Sequence, residues 1–206
     1  MIRNELKKPV KKTVYCVRSG HYHSKPELNQ DARQPLSMQG VQEAKGLLAA
    51  LKKESLTPPD CIVCAGSAHA RETADILRQW NPKTDMVAYD SLSAAGEAKW
   101  FSVMRSLDNA YSTVMFVGNN PGIERFMKLS LKPGEREKIY SVRSGSCAAL
   151  DMDGETPWVH VSEGSADFKG LFLPVLTDEK SGVHAPSIVP QIARTFKSSK
   201  EGGPEF

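Results

Sequence analysis

Three short stretches gather side chains that could do chemistry. Arg18-Ser19-Gly20-His21, with His23 two residues on, offers a guanidinium, a hydroxyl and two imidazoles. Ala65 to Arg71 offers His69 and Arg71, and Gly118-Asn119-Asn120-Pro121-Gly122 offers two amides in a turn. Glycine and small polar residues are frequent in all three, which lets backbone N–H groups approach an anion. The shared chemistry is hydrogen-bond donation to an oxyanion. A metal centre is not expected, because His21 and His23 could begin one but no third ligand stands at a suggestive spacing. No cofactor is implied.

The four cysteines, Cys16, Cys61, Cys64 and Cys147, lie inside apolar runs. Cys61-Ile-Val-Cys64 has the spacing of a metal knuckle, but on a strand residues three apart point to opposite faces. They read as small buried hydrophobes of a reducing compartment.

The elements that must position these loops follow from periodicity. Strands are expected over Lys12–Arg18, Cys61–Cys64, Met86–Tyr89, Thr113–Val117, Cys147–Met152 and Trp158–Glu163, the last two joined by a turn at Asp153-Gly154 and the last carrying His160 as a surface residue. Ser37 can cap a helix whose stripe is Val41, Ala44, Leu47, Leu48 and Leu51. Further helices are expected over Ala70–Trp80, around Trp100, Val103, Met104 and Leu107, and from Gly122 to about Leu131. Trp80, Trp100 and Trp158 are expected in the core or at its edge. Strands alternating with helices predict an α/β fold with a mostly parallel central sheet and helices on both faces. Such sheets bind ligands beyond the carboxyl ends of their strands, and the three loops all lie there.

The chain has 206 residues, which suits one domain with extensions. The expected division is a basic N-terminal arm over 1–11, a domain over 12–174 and an extended tail over 175–206. The run Lys7, Lys8, Lys11 and Lys12 reads as a solvated arm able to meet an acidic partner. Lys plus Arg is 27 and Asp plus Glu is 24, a net charge of +3 that is too balanced to argue for nucleic acid. No apolar run approaches the roughly 18 residues of a membrane helix. The opening MIRNELKKPVKK has no apolar centre, so a secretory signal is not expected. It has the basic charge of a mitochondrial address, but with Glu5 and without serine. The expected location is an intracellular reducing compartment, either cytoplasm or an organelle matrix.

In order along the chain, five segments resemble the motifs of the histidine phosphatase superfamily, in its small SixA-type phosphohistidine phosphatase branch with a phosphoglycerate-mutase-like fold. Val14-Tyr-Cys-Val-Arg18-Ser19-Gly20 resembles the strand and Arg-His-Gly that open the family. Pro35-Leu-Ser-Met-Gln-Gly40 resembles its Pro-Leu-Thr-x-x-Gly helix start. Cys64-Ala-Gly-Ser-Ala-His69-Ala-Arg71-Glu-Thr73-Ala74 resembles its Cys-Ser-Pro-x-x-Arg-Ala-x-Gln-Thr-Ala. Val117-Gly118-Asn119-Asn120-Pro121-Gly122 resembles Val-Gly-His-Asn-Pro-Gly, and Ser144-Gly145 matches a Thr-Gly. The likeness spans about residues 12 to 174. Arg143-Ser-Gly145 echoes Arg18-Ser-Gly20 by chance.

The resemblance implies a histidine that attacks phosphorus and a clamp of two arginines and a second histidine on the phosphoryl oxygens. Carried over by position, Ser19 stands for the nucleophile, His69 for the second arginine and Asn119 for the second histidine; only Arg18 remains. A serine hydroxyl without a base is a poor nucleophile, and histidine lacks the arginine fork. The expectation is therefore a pseudoenzyme with a degenerate phosphate pocket of Arg18, Ser19, His69 and Asn119. It would serve as a scaffold or interaction subunit of a larger assembly. Protein partners are expected through 175–206, where Ser187–Phe196 is apolar, with weak anion or phosphate binding beside them. The alternatives are a divergent phosphohistidine or small phosphoester phosphatase, with His21 as displaced nucleophile or Arg71 as replacement arginine, and a non-hydrolysing binder of a phosphorylated ligand.

Overall fold

The structure, a computed structural model, describes residues 11–24 and 31–175. Most of the expected arm and tail lies outside the described residues. Six strands form one sheet: β1 (Lys12–Arg18), β2 (Cys61–Ala65), β3 (Asp85–Tyr89), β4 (Thr113–Gly118), β5 (Cys147–Met152) and β6 (Asp167–Phe172). Their order is β3-β2-β4-β1-β5-β6. The four strands from β3 to β1 pair in parallel, whereas β5 and β6 run antiparallel beyond β1. The helices are α1 (Met38–Lys53), α2 (Ala68–Arg78), α3 (Glu97–Arg105) and α4 (Gly122–Ser130).

Register shows how the two faces are covered. Phe116 of β4 meets Trp100 of α3 and Phe126 of α4, with ring centroids 6.1 and 5.1 Å away. Its partner across the ladder is Cys16. Tyr15, one residue out of phase, faces the other side and packs on Trp80 just after α2 at 5.9 Å. Every residue of β2 and β4 is buried, as a strand covered on both faces must be.

The expected fold class is the observed one, and Ser37 caps α1 by accepting from the Gly40 N–H at 3.1 Å. Trp100 and Trp158 are fully buried, and Trp80 packs against the core. The last expected strand needs correcting. Trp158–His160 is a 3-10 turn that carries an exposed His160. Pro157 fixes the entry, the Trp158 N–H donates to Asn109 Oδ1, its indole N–H donates to Tyr111 O, and Val161 O accepts from Arg105. Those bonds draw the segment away from the sheet. The sixth strand is Asp167–Phe172, a half-exposed edge whose Lys169 and Gly170 gave it a weak strand signature. Lys12 also departs from expectation. It opens β1 with 5% of its surface exposed, because its ammonium turns onto Thr156 O and the Trp158 ring.

All four cysteines are free and buried. Burial pushes the Cys16 and Cys147 thiols well up, with nearby Cys16 adding to Cys147. Burial also raises Cys61 and Cys64 to about 11, with nearby Asp85 and Asp60 adding to Cys61. Native protein is expected to resist iodoacetamide near neutral pH and to take up four equivalents in denaturant, countable by mass spectrometry. Rapid alkylation of one native thiol would show a reactive site instead. Among the described residues, no group of three or more His, Cys, Asp or Glu could hold a metal ion, and no helix is long and apolar enough to cross a membrane.

Candidate active site

The carboxyl ends of β1, β2 and β4 bring the three loops together. Ser19 follows β1, and its N–H donates to Gly118 O at the end of β4. The Gly20 N–H donates to Thr73 Oγ1 of α2, at 3.1 Å. The His21 N–H donates to Glu43 Oε2 of α1, at 2.8 Å. Gly145, at φ +69°, donates to both Arg18 O and Ser19 O; a side chain there would press on the Cβ of Glu43 at 2.7 Å. The first loop is thus pinned from four sides before any functional group is considered.

Three of the four expected residues meet in one network. Ser19 Oγ donates to Asn119 Oδ1 at 2.8 Å, His69 Nε2 lies 2.9 Å from the same oxygen, and Asn119 Nδ2 donates to Ser67 Oγ at 3.1 Å. His69 Nδ1 faces the Gln34 carbonyl at 3.0 Å, so that nitrogen carries a proton. With Oδ1 towards His69, the ring carries both protons. Turning the amide over gives the same contacts with a neutral ring, Nδ2 then donating to Ser19 and His69 and Oδ1 accepting from Ser67. In both arrangements Asn119 answers Ser19 and His69 at once. Ser19 is 4% exposed and His69 1%, and the Tyr22 ring stacks on His69 at 3.8 Å with 7° between planes.

The fourth expected residue stays apart from this network. Arg18 belongs to the same strand end, but its Nη1 donates to Val142 O at 2.7 Å. The two substitute candidates point elsewhere. His21 Nδ1 is 2.8 Å from Ser37 Oγ, whose own proton goes to His21 O at 3.0 Å, so the imidazole is held on the cap of α1. Arg71 reaches Gly66 O and Asp90 Oδ1 at 2.9 and 2.7 Å, on an exposed flank of α2. Sequence reasoning missed Tyr22, Ser67 and Glu43. Glu43 left a signal: it stands four residues before Leu47, on the buried face of α1, and is itself 5% exposed. Tyr22 and Ser67 left none that separates them from ordinary loop residues.

Chemically, the arrangement gathers hydrogen-bond donors at the carboxyl ends of the strands. The Ser19 hydroxyl meets an amide, which is too weak a base to take its proton. Comparison with known proteins gives the fold a context. The chain matches no protein-family model and no curated protein. Among solved structures it is similar to SixA from Nakamurella multipartitia, with TM-score 0.70 and 20% identity over 80% of this chain and 97% of that one. It is similar to SixA from Agrobacterium tumefaciens, with TM-score 0.65 and 19% identity over 79% and 98%. It is also similar to the protein histidine phosphatase SixA complexed with tungstate, with TM-score 0.63 and 16% identity over 79% and 96%. At these identities the likeness is one of architecture: the chain has the SixA-type histidine phosphatase fold.

Proposed function

We propose that this chain is a non-catalytic protein on a histidine phosphatase fold, working as an interaction subunit of a larger assembly. The observation that carries the reading is the Ser19–Asn119–His69 network, in which the hydroxyl at the nucleophile position is bonded to an amide and no base among the described residues takes its proton. The bond from Arg18 Nη1 to Val142 O supports it, since it holds one of the guanidinium's five donors away from the Ser19 network. Met38, 81% exposed at the start of α1, and Tyr140, 78% exposed two residues before Val142, put apolar surface beside the same end of the sheet. Partner binding through 175–206, and weak phosphate binding, belong to this reading as its further claims. So does a reducing intracellular compartment.

A second reading is a divergent phosphohistidine phosphatase. The observation that favours it is the likeness to the protein histidine phosphatase SixA. Rapid-quench labelling with phosphohistidine-bearing protein and with a generic phosphoester separates the two. The expected result is neither enzyme-bound phosphate nor phosphate release. Acid-stable label lost in Ser19→Ala, or acid-labile label lost in His21→Gln, would replace the first reading with the second.

A further inference from the structure

A cavity of about 340 Å³ lies at the end of β1 away from Ser19, lined by Lys12, Asn109, Ser112, Gly154, Glu155 and Pro157. A strand advances about 3.3 Å per residue, so roughly 20 Å separates this cavity from the Arg18 end. Its chemistry centres on Lys12. Lysine is rarely buried without a partner of opposite charge, yet Lys12 is 5% exposed. Its ammonium donates to Thr156 O and lies 4.9 Å from the centre of the Trp158 ring. Both contacts are favourable to a cation and neither neutralises it. No carboxylate among the described residues is within ion-pair distance of it. The Asp153 carboxylate is held by the Glu155 N–H and the Thr156 hydroxyl at 3.1 and 3.0 Å. Burial lowers the Lys12 pKa, partly offset by the charge of Asp153.

Two neighbours add donors. Asn109 Oδ1 accepts from the Trp158 N–H at 2.8 Å, which fixes the amide and leaves its NH2 group without a partner among the described residues. Ser112 uses its backbone N–H on Asp60 and its carbonyl on Thr13, and its hydroxyl has no partner among the described residues. The lining also includes Glu155, exposed and in no ion pair among the described residues. The lining therefore carries one cation, two neutral donor groups and a single negative group. The volume is at the small end for ligand sites. A phosphate dianion would satisfy Lys12 but would face the Glu155 carboxylate.

We propose that this cavity binds a free α-amino acid, its carboxylate on Lys12, Asn109 and Ser112 and its ammonium on Glu155. The site is independent of the phosphoryl-type site, and its test does not depend on catalysis. Full-length protein is screened by thermal shift against each of the standard amino acids and against inorganic phosphate. Calorimetry then compares the best amino acid with its deaminated and decarboxylated analogues. The expected result is saturable one-to-one binding, weakened about tenfold or more in each analogue and in Glu155→Gln and Lys12→Met. Glu155 is exposed, so its variant keeps the test decisive if Lys12→Met fails to fold. No amino acid binding, phosphate binding in its place, or amino acid binding indifferent to Glu155→Gln would each overturn the proposal.

Discussion

Replacing Asn119 with alanine is expected to lower the stability of the fold by about 2–4 kcal/mol, because one side chain satisfies three others. Its partners Ser19, His69 and Ser67 are 4%, 1% and 1% exposed, so none recovers the lost bond from bulk solvent without rearrangement. Each buried polar atom left unanswered costs about 1–3 kcal/mol, reduced where a water enters the space the amide vacates. For a domain of this size the loss corresponds to a fall in Tm of roughly 5–15 °C. Ser67→Ala removes only one of the three contacts and is expected to cost about 1 kcal/mol. Urea denaturation of the two variants beside the parent measures both. An Asn119→Ala variant within about 0.5 kcal/mol of the parent would mean that the network holds nothing together.

Gly40→Ala is expected to be at least as damaging, at about 3 kcal/mol or more, although alanine is the better helix former by about 1 kcal/mol. A Cβ at Gly40 would lie 2.1 Å from His21 O and 2.8 Å from His21 N. These are backbone atoms, so no rotamer change relieves the clash. Gly20 has the mirror problem, with its Cβ position 2.6 Å from Gly40 O. The two glycines let the first loop lie directly on the start of α1, where Ser37 and Glu43 hold His21. Forcing them apart would move Ser19 away from Asn119. Gly134→Ala, with nothing within 4 Å of the added atom, is the control and is expected to stay within about 0.5 kcal/mol. Thermal unfolding of the pair, with backbone amide shifts of residues 19–21 as a local readout, checks the prediction. Equal stability of both variants would sink it.

The α/β order, the Ser37 cap and the three loops at strand carboxyl ends were legible in the sequence. Periods of two and 3.6 residues, capping hydroxyls and turn glycines are local signals carried within a few residues. Ser19, His69 and Asn119 were singled out in the sequence by the motifs around them. What those residues do to one another was not. The Ser19–Asn119 bond spans 100 residues and the His69–Asn119 contact 50, so only the packed sheet brings them within hydrogen-bond reach. The same holds for Lys12, whose partner carbonyl is 144 residues away, which is why a lysine in a basic run becomes a buried cation. It holds too for the final strand: Trp158-Val-His-Val alternates like a strand, but Asn109, Tyr111 and Arg105 take its polar groups first, leaving Asp167–Phe172 to pair with β5. The sequence by itself determined the elements as far as β5 and the residue types at the site. The tertiary structure decided which polar groups answer which, because hydrogen-bond partners far apart in the chain are chosen by packing and not by local preference.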